Sequence, residues 1–227
     1  MIEDYKNRGV LDGPMHYPTH SVCGPVCVMN AHAEKVTAYG YRNKTNDPFF
    51  AEYAFSNEFA LFKMSNGATV RIAETRETPG SFGNCEETFR VMGTLGSYSE
   101  NMWYYAKRDG DYAERFGNEK IAYEDMFDKL PSEVEKAFKH AMNQEADDIE
   151  SLEFVPGGHG GSHPYLVHEF VSAVAENRQP VINPWEAARY MAMGVMAHKS
   201  ALKDGETLNV PDWGDQPSFS ARSSADK

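Results

Sequence analysis

Short segments in which hydrophobic and polar residues alternate dominate the chain between residues 35 and 103. A side-chain period of two is typical of β-strands with one buried face, and these segments are also rich in β-branched and aromatic residues. They are KVTAYGYR, FFAEYAFS, EFALFKMS, ATVRIAET, TFRVMGT and GSYSENMWYY. Asn66-Gly67 stands between two of them and predicts a hairpin with a type I′ turn. The pattern therefore predicts a large, mostly antiparallel sheet.

Helical patterns flank this region on both sides. An apolar segment with small residues, from Pro18 to about His32, predicts a helix packed on a core, with Pro18 in its first turn. Residues 132–144 and 164–176 each carry an apolar stripe at helical spacing. In the second of these, the residues expected to point inward are Leu166, Phe170, Val171 and Val174.

The helix that begins at Pro184 is the clearest in the chain. Asn183 occupies its N-cap position, Pro184 takes the first helical position, and Gly205 follows its end. Residues 104–130 are charged and have no clear period, which predicts a long excursion on the surface.

These elements predict one α+β domain over residues 1–213, followed by a disordered tail over residues 214–227. The expected architecture is a large, mostly antiparallel open sheet with helices packed on one face. The other face is then available for dimerisation, because an uncovered sheet tends to aggregate unless it is paired.

Composition narrows the range of partners. The 227 residues carry 34 acidic and 22 basic side chains, for a net charge of −12, and no basic stripe suggests nucleic acid as a partner. No apolar run reaches the length of a membrane span, and the N-terminus MIEDYKNRGV lacks the apolar region of a signal peptide, so we expect a cytoplasmic chain without a membrane partner. Cys23, Cys27 and Cys85 are expected to be free, buried thiols rather than zinc ligands.

A dinucleotide-binding motif is missing from the sequence. Such a motif would follow a strand with G-x-G-x-x-G and open a helix, and GGHGGS at residues 157–162 has neither that spacing nor that context. We therefore expect no cofactor on this chain.

Three strings resemble a known family by their order and spacing. YPTHSVCGPV, GGHGG and PWEAARYMAMGVMAHKSALKDGETLNVPDW are similar to the C-terminal domain of the Gfo/Idh/MocA oxidoreductases, in the branch of the NAD-dependent α-N-acetylgalactosaminidase-like proteins. The resemblance runs from about Gly13 to Trp213. In that family an N-terminal Rossmann domain binds NAD or NADP, and the C-terminal domain supplies the substrate pocket and the oligomer contact.

The resemblance implies candidate site residues. His20 matches, by its YPTH context, a histidine aimed at the substrate carbinol, and His16 stands where many relatives have an acidic residue. On one helix, positions i and i+4 share a face, so both imidazoles would point at one pocket and relay a proton near neutral pH. We take His20 and His16 as catalytic. The substrate-binding candidates are Tyr17, His159, Arg76 and Tyr165.

Each candidate also has an ordinary structural interpretation. Arg76 suits sugar hydroxyls or a carboxylate, but a cross-strand ion pair with Glu74 explains it equally well. His159 is either at the active site or in a flexible surface loop. Zinc is a further alternative, with the histidines at positions 16, 20, 159 and 163 as ligands, but the sequence places no acidic partner and we expect no metal.

Two functions follow from the sequence. The first is the substrate-binding and oligomerisation domain of an NAD(P)-dependent sugar or polyol oxidoreductase, or of an NAD-dependent glycosidase, whose coenzyme-binding half lies outside this chain. The chain alone is then not expected to be redox-active. The second is a stand-alone, non-catalytic carbohydrate-binding or assembly module. The sequence leaves open whether the chain is a complete protein or a fragment.

Overall fold

The computed structural model describes residues 13–46, 48–50, 53–78, 88–106, 116–121, 130–142 and 162–217. Contacts divide the chain into two compact units. The first comprises residues 1–119 and 184–216, and the second comprises residues 120–183 and 217–227. The single domain expected over residues 1–213 stays a prediction. So does the disordered tail, because residues 218–227 lie outside the described part of the chain.

Within the described residues, helices and strands form a mixed α+β fold, as predicted. The α-helices are α1 (Thr19–Met29), α2 (Ser132–Met142), α3 (His163–Ala175) and α4 (Pro184–Leu202), with short 3-10 helices at Pro14–His16 and Pro48–Phe50. The strands are β1 (Ala33–Tyr41), β2 (Asn57–Met64), β3 (Thr69–Thr75), β4 (Arg90–Met92), β5 (Gly96–Ser99), β6 (Met102–Ala106), β7 (Phe116–Lys120) and β8 (Leu208–Asn209).

The main sheet has the strand order β3-β2-β1-β8, and all its strand pairs are antiparallel. Alternate residues of β2 and β3 are buried, which is the period of two that the sequence shows. Helix α4 packs on β1, and α1 packs on α4 and β3. The core between these helices and the sheet contains Val22, Val36, Phe62, Ile72 and Met193.

The hairpin between β2 and β3 exists, but its turn is not the predicted type I′. A type I′ turn needs positive φ at both central residues, and only Gly67 has it here, at 85°. The Gly67 amide donates to the Met64 carbonyl, and the Met64 amide donates to the Ala68 carbonyl. The connection is thus a three-residue loop with Gly67 at its left-handed position. It sets the register of the two strands.

A second sheet has the order β4-β5-β6-β7. Its β5–β6 turn contains Glu100 and Asn101, with φ of 53° and 60°, so it has the positive φ values of a type I′ turn. The predicted single strand over residues 96–105 is therefore two strands. Strand β7 lies inside residues 104–130, where we expected only a surface excursion. The predicted strand at residues 49–56 is wrong, because a 3-10 helix occupies Pro48–Phe50.

Helix α3 belongs to the second unit and differs from its prediction in orientation. Four apolar residues expected to point inward are each more than half exposed, from 54% to 67%. They are Leu166, Phe170, Val171 and Val174. The buried residues of this helix are instead Pro164 and Ala173. The apolar stripe is present, but the better covered side of the helix carries Tyr165, His168, Ser172 and Ala173.

Candidate functional site

The segment that carries the candidate histidines, residues 13–20, is hereafter called the histidine segment. His16 ends the 3-10 helix, in which the His16 amide donates to the Gly13 carbonyl at 3.2 Å. His20 lies in the first turn of α1, which begins at Thr19. A single helix through both histidines is therefore wrong. The physical reason is Pro18, which disfavours helical backbone at the residue before it.

Tyr17 and His20 form a pair at the protein surface. The Tyr17 hydroxyl lies 3.3 Å from Nε2 of His20, and the two ring centroids are 5.3 Å apart. Tyr17 is 61% exposed, so its hydroxyl is open to a ligand. A phenol bonded to an imidazole can relay a proton between a bound molecule and the histidine.

His16 points to a different group, the buried His198 of α4, at a ring-centroid distance of 4.5 Å. Nδ1 of His198 lies 2.6 Å from Oε1 of Glu58, and the other oxygen of Glu58 accepts a 2.9 Å hydrogen bond from the Met15 amide. Glu58 is 0% exposed and His198 2%. A side chain at Gly13 would place Cβ within 2.7 Å of Glu58 and His198. These buried partners therefore fix the start of the histidine segment.

Glu74 lies directly opposite Glu58 in the register of β2 and β3, on the same buried side of the sheet. The Ser21 hydroxyl donates to Oε1 of Glu74 at 2.5 Å, and Nη2 of Arg76 lies 3.0 Å from Oε2. Burial raises the pKa of Glu74 above its usual value, although the Ser21 hydrogen bond and the positive charges of Arg76 and His20 act in the opposite direction. Glu58 and Glu74, hereafter the buried carboxylate pair, thus lie beneath the histidine segment and α1.

Arg76 makes an ion pair with Glu74, as its ordinary interpretation predicted, but both residues lie at the end of β3 and the pair does not cross between strands. It also borders an open cavity of about 630 Å³, whose lining includes Tyr41, Asn57 and Phe59. Phe59 alternates with the buried residues of β2, so it belongs to the sheet face opposite the buried carboxylate pair. Arg76 therefore lies at the end of β3, in contact with Glu74 and at the edge of the outer cavity.

Two candidates lie outside the described residues of the first unit. Tyr165 is partly buried in α3, in the second unit, and His159 lies outside the described residues.

No three His, Cys, Asp or Glu side chains converge as metal ligands in the described ranges. Neither Cys23 nor Cys27 is in a disulfide, but Cys27 is exposed, contrary to expectation, and its sulfur lies 3.1 Å from the Tyr190 hydroxyl. Cys85 lies outside the described residues. In the part of the chain that the structure describes, no helix is both long and apolar enough to cross a membrane.

Sequence reasoning missed the buried carboxylate pair and His198. The available signal was the position of Glu58 and Glu74 in the alternating patterns of their strands, in phase with the apolar residues Ala60 and Ile72 two positions away. A glutamate in such a position, near a strand end, is easily taken for an exposed residue.

The model of the family "Glycosyl hydrolase 109, C-terminal domain" matches residues 29–217, which is most of the chain. The chain belongs to this family. The match begins at Met29, so it includes both carboxylates and His198 but not the histidine segment. Two curated relatives are each 21% identical over 154 residues: a glycosyl hydrolase family 109 protein from Parabacteroides distasonis and an α-N-acetylgalactosaminidase from Tannerella forsythia. The alignments cover 68% of this glycosyl hydrolase 109 C-terminal domain and 29% of each relative.

Solved oxidoreductases share the fold. A levoglucosan dehydrogenase in complex with NADH and levoglucosan matches with a TM-score of 0.55 and 18% identity, over 88% of this chain and 51% of that one. An oxidoreductase from Agrobacterium radiobacter, in complex with NAD⁺, L-tartaric acid and magnesium, matches with a TM-score of 0.54 and 11% identity, over 91% and 53%. The glycosyl hydrolase 109 C-terminal domain therefore has the fold found in about half of each of these enzymes.

Proposed function

We propose that this chain is the substrate-binding and oligomerisation part of an NAD(P)-dependent sugar oxidoreductase, or of a glycosidase that works by transient oxidation of its sugar. The observation that carries the proposal is the exposed Tyr17–His20 pair, held above two buried carboxylates. The family membership and the names of the relatives point to a sugar as the substrate class.

In the proposed reaction, His20 takes the proton of a sugar hydroxyl, and Tyr17 orients that hydroxyl. Removing this proton makes the loss of hydride from the same carbon easier, and an imidazole titrates in the range where it can both accept and return the proton. Accepting that hydride is the chemistry that a nicotinamide coenzyme supplies when it is bound. His16 contacts His198 and takes the role of a neighbour that supports the segment.

We assign no coenzyme-binding residue to this chain. The strand pairs β1–β2, β2–β3, β1–β8, β4–β5 and β5–β6 are antiparallel, whereas dinucleotides bind to parallel βαβ units. The coenzyme is therefore proposed to bind to a part of the protein, or a partner, outside this sequence.

The test is saccharide binding to the purified chain, followed by NMR of the His20 and Tyr17 side chains. N-acetylgalactosamine and levoglucosan are the first probes, because relatives carry these names. We expect saturable shifts at His20 and Tyr17 that the variant His20→Ala abolishes and the control His140→Ala, on α2, retains. Shifts confined to other residues, or unchanged binding by His20→Ala, would overturn the proposal.

A titration with NADH separates the enzyme from the alternative of a stand-alone binding module. Absence of binding to the chain, together with sugar oxidation when a coenzyme-binding partner or the longer protein is supplied, is the expected result. Sugar binding without oxidation in the longer protein would favour the module.

For oligomerisation, the observation is the outer face of the main sheet, where large apolar side chains are 41% to 58% exposed. They are Tyr39, Tyr41, Phe59 and Leu61. An uncovered apolar sheet face is normally paired, so we propose a dimer through this face. Sedimentation velocity should give a dimer for the wild type and a monomer for Leu61→Lys. A wild-type monomer at micromolar concentration would refute the dimer.

A further inference from the structure

Glu74 lies between β3 and the first turn of α1, the turn that carries His20. It is 6% exposed, and its two carboxylate oxygens have separate partners: the Ser21 hydroxyl at 2.5 Å and Nη2 of Arg76 at 3.0 Å. Ser21 is the residue next to His20, and its hydroxyl also lies 3.0 Å from the Pro18 carbonyl. Through Ser21, the carboxylate of Glu74 therefore joins the sheet to the start of α1.

Charged and titratable groups surround Glu74 from three elements. His20 belongs to α1 and stands next to Ser21, Arg76 pairs with Glu74 from the end of β3, and Glu58 lies at the opposite position on β2. Behind Glu58, His198 approaches from α4. Glu58 disfavours the ionised form of Glu74, and the positive charges of Arg76 and His20 favour it. The charge of Glu74 and the charge of His20 are therefore linked.

We propose that Glu74 is a positioning residue for His20: it holds the first turn of α1 on the sheet through Ser21 and stabilises the protonated imidazole. This inference rests on the proposed role of His20 as the group that accepts the substrate proton. In that role the imidazole becomes positive at the moment the hydroxyl proton arrives, and a fixed carboxylate nearby favours that state. Glu74 does not touch the substrate, so its effect passes through His20.

Linkage makes the inference measurable without a coenzyme or a substrate. The positive charge of His20 lowers the pKa of Glu74, so removing the imidazole must raise the pKa of that carboxyl group. Removing the Ser21 hydroxyl must raise it as well, because that hydrogen bond favours the ionised form. We therefore expect the titration midpoint of Glu74 to be higher in His20→Ala and in Ser21→Ala than in the wild type.

The experiment is an NMR titration of the carboxyl carbon of Glu74 in the full chain. His20→Ala removes the imidazole, and Ser21→Ala removes the hydrogen bond that joins the carboxylate to α1. The matched control is His140→Ala on α2, an exposed histidine of the second unit. The expected result is a higher Glu74 midpoint in His20→Ala and in Ser21→Ala, and no change in His140→Ala. An unchanged midpoint in a folded His20→Ala would overturn the inference.

A second variant tests the anchoring of α1. Glu74→Gln removes the charge but keeps the side-chain shape, and we expect it to move the NMR signals of the His20 ring. The control is Glu34→Gln on β1, a carboxylate paired with Lys63 at 2.9 Å, which should leave these signals in place. Unmoved His20 signals in a folded Glu74→Gln would overturn the anchoring. Coupling with no loss of sugar binding in His20→Ala would leave the interaction standing and defeat the proposed function instead, so the two failures are distinguishable.

Discussion

Replacing Glu58 by alanine tests whether a buried carboxylate holds the histidine segment in place. Glu58 is fully buried and has two partners in different elements, the Met15 amide at 2.9 Å and Nδ1 of His198 at 2.6 Å. Alanine leaves both without a partner, while Nε2 of His198 already has none. We therefore expect Glu58→Ala to be among the most destabilising changes in the first unit.

The magnitude follows from these contacts. A hydrogen bond to a charged group contributes about 1.5–3 kcal/mol, and breaking a buried pair by removing one partner costs about 3–5 kcal/mol. Because the two bonds share one carboxylate, their effects are not additive, and the expected loss for Glu58→Ala is about 3–5 kcal/mol. Glu58→Gln keeps an oxygen for the Met15 amide and an NH₂ group for the other tautomer of His198, so it should lose only about 1–2 kcal/mol.

Urea unfolding followed by tryptophan fluorescence measures this loss. Trp103, Trp185 and Trp213 all lie in the first unit, so the signal reports on the unit that contains Glu58. For Glu58→Ala the midpoint should fall by at least about 1 M urea. The control is Glu34→Ala, an exposed residue of the adjacent strand, whose midpoint should match the wild type. Equal midpoints for the two alanine variants would refute an anchoring role for Glu58.

Three further predictions concern other contacts. Gly194→Ala would place Cβ 2.1 Å from a backbone carbonyl oxygen of the histidine segment, and overpacking of about 1–3 kcal/mol should exceed the gain of about 1 kcal/mol in helix propensity and lower the melting temperature. Hydrogen bonding to Arg189 holds the pKa of Asp212 below its ordinary 3.8. The wild type should therefore be more stable than Asp212→Asn above pH 3.8, and this difference in stability should disappear as the pH falls further. Hydrogen bonding to Arg178 lowers the pKa of Glu169 to about 2, so carboxyl NMR should give that midpoint in the wild type and one nearer 4.5 in Arg178→Gln. A stable Gly194→Ala, a pH-independent difference for Asp212→Asn, or an ordinary Glu169 midpoint in the wild type would contradict the respective argument.

The sequence allowed the main sheet and the long helix to be predicted, because both have unambiguous local signals. Strands β1, β2 and β3 alternate over seven to nine residues, and α4 begins at Pro184 and ends before Gly205. At Gly205, φ is 84°, and its amide donates to the Ser200 carbonyl, which is the helix end that a glycine permits.

The register between β2 and β3 could not be predicted from the sequence, and the position of the buried carboxylate pair depends on it. A two-residue type I′ loop at Asn66-Gly67 would pair Glu58 with Thr75 and would place Arg71 on the buried side. The actual three-residue loop shifts the register by one residue, so that Glu58 faces Glu74 and the side chains of Val70 and Ile72 enter the core. The sequence does not distinguish a two-residue loop from a three-residue loop at this turn. The loop length nevertheless decides whether Glu58 and Glu74 lie opposite each other.

The same limit applies to α3, for a different reason. An apolar stripe predicts which residues share a helix face, but it does not say what covers that face. In α3 the stripe is exposed within the described residues, and the covered side has Ala173 instead. The stripe therefore needed a partner that periodicity alone could not identify.

Two buried carboxylates that face each other under a helix are costly, and stability alone does not explain them. Hydrophobic residues of similar size at such positions often stabilise a protein as well or better. Here the partners of the two carboxylates, apart from Arg76, either belong to the stretch from Met15 to Ser21 or, like His198, contact it directly. The cost therefore has a specific consequence, which is a fixed position and a fixed charge environment for His16 and His20. If His20 has the role proposed for it, this is the arrangement expected of a site of proton transfer.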